Sequence, residues 1–355
     1  MSTASIPPVS AEVSGTSVNF RSGNDPWIRR RLLVSRAFLW SCRVVTYSSL
    51  AILGVLLASI VWKSLGRLSP NFVTSYTSFN PEKAGMLAGI WGTFWLVALT
   101  ALFSIPVGIG SAVYLEELAK DSFIVRVIRV NLSNLAGVPS IVYGILGLTI
   151  FRPLMDSLEI LFDGRHAIKV LGLFRIRLLQ LEIFDGCVLA GALTVSLVIL
   201  PTVIIASQEA LRAVPSTIRV ASLALGATRW QTIWRQVLPA ALPGISTGVI
   251  LSISRAIGEA APLMMIGVLT MTSLCPGGIE SPLQVLMNPS RLLAVPFDQF
   301  TAMPVAIYDW SKQPDPQDRF AAVAAAGIVV LLAVLLTINA TAMLVRARAA
   351  RNLKW

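Results

Sequence analysis

Two charges stand where a charge is costly. Arg255 and Glu259 lie in Ser254-Arg-Ala-Ile-Gly-Glu-Ala-Ala-Pro262, within a stretch from Ala240 to Ser273 that is otherwise uncharged. A stretch of that length can cross a bilayer, and a charge in hydrocarbon costs several kcal/mol unless it is paired or hydrated. Four residues apart on a helix, the two side chains share a face and can meet. A guanidinium grips two oxygens of a tetrahedral oxyanion at once, and a nearby carboxylate can hold the guanidinium or accept a proton from the anion. The pair therefore reads either as a transient station for an anion or as a neutral pair that only locks this helix to its neighbours. Counting from Gly244 at 1.5 Å per residue puts Arg255 roughly 16 Å into a core of about 30 Å, close to its midplane. Asn134, Pro139, Ser140 and Tyr143 in one apolar stretch, and Thr194, Ser196, Pro201 and Thr202 in another, are candidates to line the same route. Each proline frees a backbone carbonyl that something polar must satisfy; kinks and small-residue packing are the alternative.

The elements that must position these residues are membrane helices. Of the 355 residues 55% are hydrophobic and only 13% charged, and the mean hydropathy is +0.73. Six stretches, Val44–Trp62, Leu87–Leu115, Val130–Phe151, Gly186–Gln208, Ala240–Ser273 and Phe320–Val345, are each long enough to span the hydrocarbon, which takes about 20 helical residues. Backbone groups in lipid must be satisfied within the segment, so the stretches predict helices and an all-α, six-span protein. Residues 1–43 read as a polar, basic tail, 44–345 as the membrane domain and 346–355 as a second basic tail. Arginine and lysine collect in alternate connections: Arg21, Arg29, Arg30, Arg31, Arg36 and Arg43; Lys120, Arg126 and Arg129; Arg212, Arg219, Arg229 and Arg235; Arg346, Arg348, Arg351 and Lys354. That bias predicts both termini on the cytoplasmic side, where the basic face meets anionic membrane lipid. Spread over four segments, the net charge of +11 argues for lipid rather than nucleic acid. Trp62, Trp91, Tyr308 and Trp310 fall near outer boundaries, as an aromatic belt would place them. Arg152–Asp185 reads as a surface helix or hairpin at the interface, and Leu274–Arg319 as mainly loop with room for a short amphipathic piece. Cys187 and Cys275 both fall toward the outer side, where a disulfide is open but not required.

The connection from Glu209 to Pro239 carries the second signal. Ile218, Ala221, Ser222 and Leu225 repeat at helical spacing, and Trp230, Ile233, Trp234 and Val237 repeat it again. Gly226 between them permits a turn that a side chain would resist, while Pro215 and Pro239 punctuate the ends. The reading is an L-shaped pair of short helices with an apolar face turned to the cytosol. Either another subunit docks there, or the hairpin lies on the inner leaflet.

This connection resembles the cytoplasmic loop of type I ABC importer permeases: E-A-A, three residues, Gly, nine residues, then I-x-L-P. Aligned on Gly226, Ala221, Leu238 and Pro239 match at full spacing; Val220 stands in place of the Glu and Gln236 in place of the Ile. Asn134-Leu-Ala-Gly-Val-Pro-Ser-Ile-Val-Tyr-Gly144, Glu209–Pro215, Leu223–Trp230, Leu238–Gly244 and Ser254–Pro262 together resemble the phosphate-specific permeases. Phe300-Thr-Ala-Met-Pro-Val-Ala-Ile-Tyr-Asp-Trp310 is similar to their A-type subunit. The resemblance implies a type I importer permease fold in the bacterial inner membrane. It implies coupling helices at 216–238, with Ala221, Gly226, Trp230, Ile233, Trp234, Leu238 and Pro239 serving an ATPase. It also implies a homologous C-type permease, an ABC ATPase dimer and a periplasmic or lipid-anchored phosphate-binding protein as partners. Arg255, Glu259, Asn134, Ser140 and Thr194 would lie along the phosphate path. No GxxxxGK[ST] occurs, so no cofactor is expected on this chain, and ATP and magnesium would sit on the ATPase. A permease for sulfate or molybdate, or a stand-alone secondary transporter, stays open. No catalytic constellation argues for an enzyme.

Overall fold

The computed structural model describes residues 26–163, 187–270, 272, 275–278, 284, 291, 292, 294–315 and 317–351. The expected tail at 1–25, the outer segment at 164–185 and the last residues at 352–355 lie outside these. The chain divides into two units, Met1–Ser59 and Ile60–Trp355. Described by itself, the first unit is helix α1 (Pro26–Ser64) as far as Ser59. Leu33, Trp40, Val45, Leu50 and Leu56 point in different directions and all are exposed, as in a helix whose surroundings are apolar on every side.

The second unit contains α2 (Pro70–Thr74), α3 (Leu87–Val113), α4 (Phe123–Ala136), α5 (Ser140–Asp163), α6 (Val188–Arg212) and α7 (Ser216–Ala224). It continues with α8 (Arg229–Thr232), α9 (Leu238–Gly258), α10 (Ala261–Met265), α11 (Met303–Lys312) and α12 (Arg319–Arg351). Five helical stretches among the described residues are long and apolar enough to cross a membrane, and a bent pair raises the number to six. The described residues are mostly helical, with five to six candidate spans among them.

Two of the predicted stretches are not single helices. Val130–Phe151 is not one helix: α4 and the start of α5 meet at 108°. Pro139 lacks an N–H and its ring disfavours helical backbone at Val138, so the chain breaks there. The Tyr143 hydroxyl donates to the Leu135 carbonyl at 2.8 Å and staples the bend, satisfying a carbonyl that the break sets free. The fifth span ends at Gly258 rather than Ser273. Glu259 leaves helical backbone (φ −79°, ψ 106°), and the chain re-enters a single turn at α10 before Gly267 reverses it at φ 80°.

Helix α6 is the centre of the unit, packed by α3, α4, α5 and α9. Small residues let the helices close in: a Cβ on Gly108 would sit 2.6 Å from Val203, and one on Gly248 only 2.3 Å from the Cβ of Ala206. Lipid tails give helices little hydrophobic reason to associate, so such close contacts and interhelical hydrogen bonds hold them. Ser196 and Thr100 supply some of these bonds, donating to Thr100 O and Ala192 O respectively, each at 3.3 Å. Helix α12 is tied to α9 at two points one heptad apart. Ser254 donates to Asn339 Oδ1 at 2.6 Å, and Arg346 donates to Thr247.

Trp310 departs from the predicted belt. It is buried against Phe72 in a cluster with Met86, Met303 and Phe320, because α11 folds back onto α3 and α12. The α3–α11 contact makes Gly92 critical, since an added Cβ would sit 1.9 Å from the Thr301 carbonyl oxygen. Backbone cannot yield as a flexible side chain can, and overpacking costs about 1–3 kcal/mol or more. Gly92→Ala is therefore expected to lower the thermal midpoint of the purified permease by several degrees. Gly110→Ala, which meets nothing within 4 Å, should leave it in place. Equal midpoints for the two variants would refute the close contact. Cys187 is a free thiol at the start of α6, accepting from the Ala190 N–H at 3.4 Å; both Cys187 and Cys275 are buried, and no disulfide joins them.

Candidate functional site

The Arg255–Glu259 pair forms as the spacing requires. Arg255 Nε donates to Glu259 Oε1 at 3.0 Å. Helical backbone runs unbroken from Arg229 to Gly258, and Arg255 lies in the last turn of α9. It is about 25 Å along the axis from Leu238, at 1.5 Å per residue. A cation there complements the negative C-terminal end of the helix. The Arg255 side chain is 46% exposed and that of Glu259 is 15% exposed. Thr247, Leu251, Arg255 and Gly258 form one open stripe along α9, beside the contact that Ser254 makes with α12.

Two helix breaks meet beside this pair. α10, which follows Glu259, packs on α5, and a Cβ on Gly144 would sit 2.7 Å from Pro262 Cα. Tyr143, in the first turn of α5, is within electrostatic reach of Arg255. Ser140 opens α5 and is half-buried, while Asn134 is exposed in the last turn of α4, its carbonyl accepting from the Gly137 N–H at 3.0 Å. Thr194 is placed otherwise. It is wholly buried, its hydroxyl donates to Ala190 O at 2.7 Å, and it fills the space beneath Gly147, so it joins α5 to α6.

At the other end of α9 the connection forms the two short helices read from sequence. α7 ends in a Schellman turn: Gly226 N–H donates to Leu223 O at 3.0 Å and Ala227 N–H to Ser222 O at 3.2 Å. Gly226 has φ 84°, a backbone that a side chain would strain. Thr228 and Gln231 then cap α8 reciprocally, side chain to backbone in both directions. That Thr-x-x-Gln box was readable in the sequence and marks the start of the second helix. The hydroxyls of Ser222 and Thr232 share a hydrogen bond of 2.9 Å and hold the pair as an angle.

The apolar residues here do not form one face. Ile233 and Val237 are buried in the core with Leu211, Ile245 and Val125. Trp230 and Trp234 turn away from them, 57% and 60% exposed, with rings stacked at 5.9 Å and 14°. Ala221, Val220 and Leu223 are exposed and Leu225 is 90% exposed, whereas Ile218 and Ser222 are half-buried. A π-helical segment, Ile233–Val237, separates α8 from α9 and leads to Leu238 and Pro239, both half-buried. The surface offered is thus Val220, Leu223, Leu225 and the two tryptophans. Residues that the motif search passed over join it to the bundle: Glu116 and Glu117 after α3, with Arg129, Arg212 and Arg219. The signal was two consecutive acids at the inner end of an apolar stretch.

Residues 104–350 match the model of the binding-protein-dependent transport system inner membrane component. The chain belongs to that family. It is a multi-pass ABC transport permease, a transport subunit rather than an enzyme. It is 33% identical over 67% of its length, and 73% of the relative's, to the phosphate transport system permease protein PstC of Mesorhizobium japonicum. To PstA 1 of Mycobacterium tuberculosis it is 32% identical over 67% of this chain and 70% of the relative. The probable ABC transporter permease YqgH of Bacillus subtilis is 35% identical over 55% of this chain, and the match spans 57% of that relative's length. An inward-facing structure of the MetNI methionine ABC transporter aligns with 74% of this chain and 97% of its own, at 14% identity and a TM-score of 0.48. The permease is PstA-like and PstC-like in sequence, and the family match at 104–350 includes α7, α8 and the Arg255–Glu259 pair.

Proposed function

We propose that this permease is the A-type membrane subunit of an ATP-driven phosphate importer in the bacterial inner membrane, with both termini cytoplasmic. The observation that carries the reading is the half-exposed Arg255 at the end of a membrane helix. A guanidinium facing lipid would cost several kcal/mol, so its open side belongs to a second permease or a hydrated path. Glu259 neutralises part of its charge, which suits a group that must release an anion as readily as it binds one. The first turn of α5 adds the positive end of a helix beside it, favourable to an oxyanion. Asn134 and Ser140, at the α4–α5 break, extend the path; Thr194 supports it from behind. The Phe300–Trp310 motif favours the A-type, and relatives named as phosphate permeases favour phosphate.

The partners are a homologous C-type permease, a dimer of ABC ATPase subunits and a phosphate-binding protein outside the membrane. The ATPase seats on Trp230, Trp234 and Leu225, and ATP and magnesium are held there rather than on this chain. Nucleotide-driven closure of the ATPase pair moves α7 and α8, and the spans rock to admit phosphate from the binding protein. A permease for sulfate or molybdate would use the same guanidinium, but phosphate at neutral pH also carries a P–OH that Glu259 can accept. In vesicles holding the complete complex, ATP-dependent uptake of radiolabelled phosphate is expected, with excess sulfate or molybdate leaving it nearly unchanged. Competition by either anion at equal concentration would reassign the substrate.

A further inference from the structure

Helix α3 ends in a wide turn. Tyr114–Leu118 is π-helical, closed by the Ala119 N–H donating to Tyr114 O at 2.8 Å. Its two consecutive carboxylates, each with a side chain only 10% exposed, address different neighbours. Glu116 receives Arg212 in a fork, Nε to Oε2 at 2.8 Å and Nη2 to Oε1 at 2.6 Å, while Arg129 stands 3.7 Å away. Arg129 also donates to Leu115 O at 2.6 Å. Glu117 receives Arg219, Nη2 at 2.6 Å and Nε at 3.2 Å from Oε1. The same guanidinium donates to Val214 O at 2.7 Å and Leu211 O at 2.9 Å, carbonyls left over where α6 runs out.

These bonds join α4, the end of α6 and α7 to one turn of α3. Their importance lies in what α7 lacks, which is any buried residue. A helix whose apolar contact with the core is a single half-buried side chain, Ile218, passes little force to the bundle through packing. Beyond the half-buried Ile218 and the hydroxyl bond of Ser222, Arg219 is its tie, and a bidentate, little-exposed ion pair is directional where an apolar contact slides. Removing one partner from such a pair leaves a charge without compensation.

We infer that Glu116 and Glu117 are positioning residues for the ATP-coupled step: Glu117 passes the movement of α7 to α3 through Arg219, while Glu116 binds that point to α6 and α4. The inference rests on the importer reading and adds the linkage within this chain that the reading requires. Glu117→Gln removes the charge at nearly constant size, and Arg219→Gln removes the guanidinium. In vesicles carrying the complex with its ATPase, each variant should lower the phosphate moved per ATP hydrolysed at least ten-fold, with the KM for phosphate unchanged. The double variant should fall no further than the worse single one. A ratio at the wild-type level in either single variant would overturn the inference, as would a double variant whose loss is the product of the two.

A second measurement does not depend on uptake. Spin labels at the exposed Lys120 and Thr217 should keep one distance through the nucleotide states in wild type and give a broad distribution in Glu117→Gln. A wild-type distance that changes with nucleotide overturns the rigid link even if uptake is normal. A wild-type complex that hydrolyses ATP without moving phosphate would remove the importer reading, and this inference with it.

Discussion

Replacing Arg255 with alanine is expected to take phosphate uptake to background while the permease still assembles with its partners. A guanidinium that grips an oxyanion does so through charge-assisted hydrogen bonds of about 1.5–3 kcal/mol each. Losing two corresponds to at least about a hundred-fold in binding. Arg255 donates to no group of this chain other than Glu259 among the bonds described, and almost half of its side chain is open, so the fold should survive the change. Arg255→Lys keeps the charge but loses the fork, and should fall between wild type and alanine. Glu259→Gln should act in the opposite sense on affinity. With the guanidinium no longer neutralised, the KM for phosphate should drop, and the maximal rate should drop with it because release slows. Uptake kinetics on the reconstituted complex, with co-purification as the control for assembly, check all three. Wild-type uptake by the alanine variant would end the anion-path reading and leave a pair that only braces α9 at its break.

The second large effect is at the opposite end of α9. Trp230→Ala with Trp234→Ala is expected to abolish capture of the ATPase subunit and ATP-dependent uptake together, with the thermal midpoint of the isolated permease unchanged. Both rings are more than half exposed and rest mainly on each other. Exposed aromatic pairs of this kind are the usual anchors of an interface, where a few residues carry most of the affinity. Ile233→Ala should give the reverse pattern. Its side chain is buried among Val125, Leu211 and Val237, so truncation leaves a cavity and costs about 2–5 kcal/mol of stability. Capture of the ATPase should persist in whatever protein folds. The contrast matters because the four residues share one sequence periodicity. If the tryptophan variant still binds its ATPase at wild-type strength, the docking surface lies elsewhere.

The two helix breaks show how far local signals reach. Pro139 and the glycine before it were visible in the sequence, yet the stretch from Val130 to Phe151 reads as one span because hydropathy counts composition and not direction. A bend of 108° becomes affordable only once the Tyr143 hydroxyl takes the Leu135 carbonyl and α10 packs beneath Gly144. The same holds at Gly258. The uncharged run continues to Ser273, whereas the helix that carries Arg255 ends at Gly258 and Glu259 takes extended backbone.

The sequence by itself determined that the chain lives in a membrane, that its long apolar stretches build helices, where α7 turns into α8, and that Arg255 and Glu259 meet. All of these depend on neighbours within a few positions: apolar run length, the positive φ that Gly226 allows, a capping box, an i,i+4 spacing. Only the tertiary structure decided which tryptophans face out, that Trp310 is core rather than belt, that Thr194 is buried against Gly147 between α5 and α6, and that Glu117 meets Arg219 across 102 positions. Those outcomes are set by which helix lies against which, and in a chain whose surface is apolar nearly everywhere, hydropathy does not distinguish the face that meets lipid from the face that meets protein.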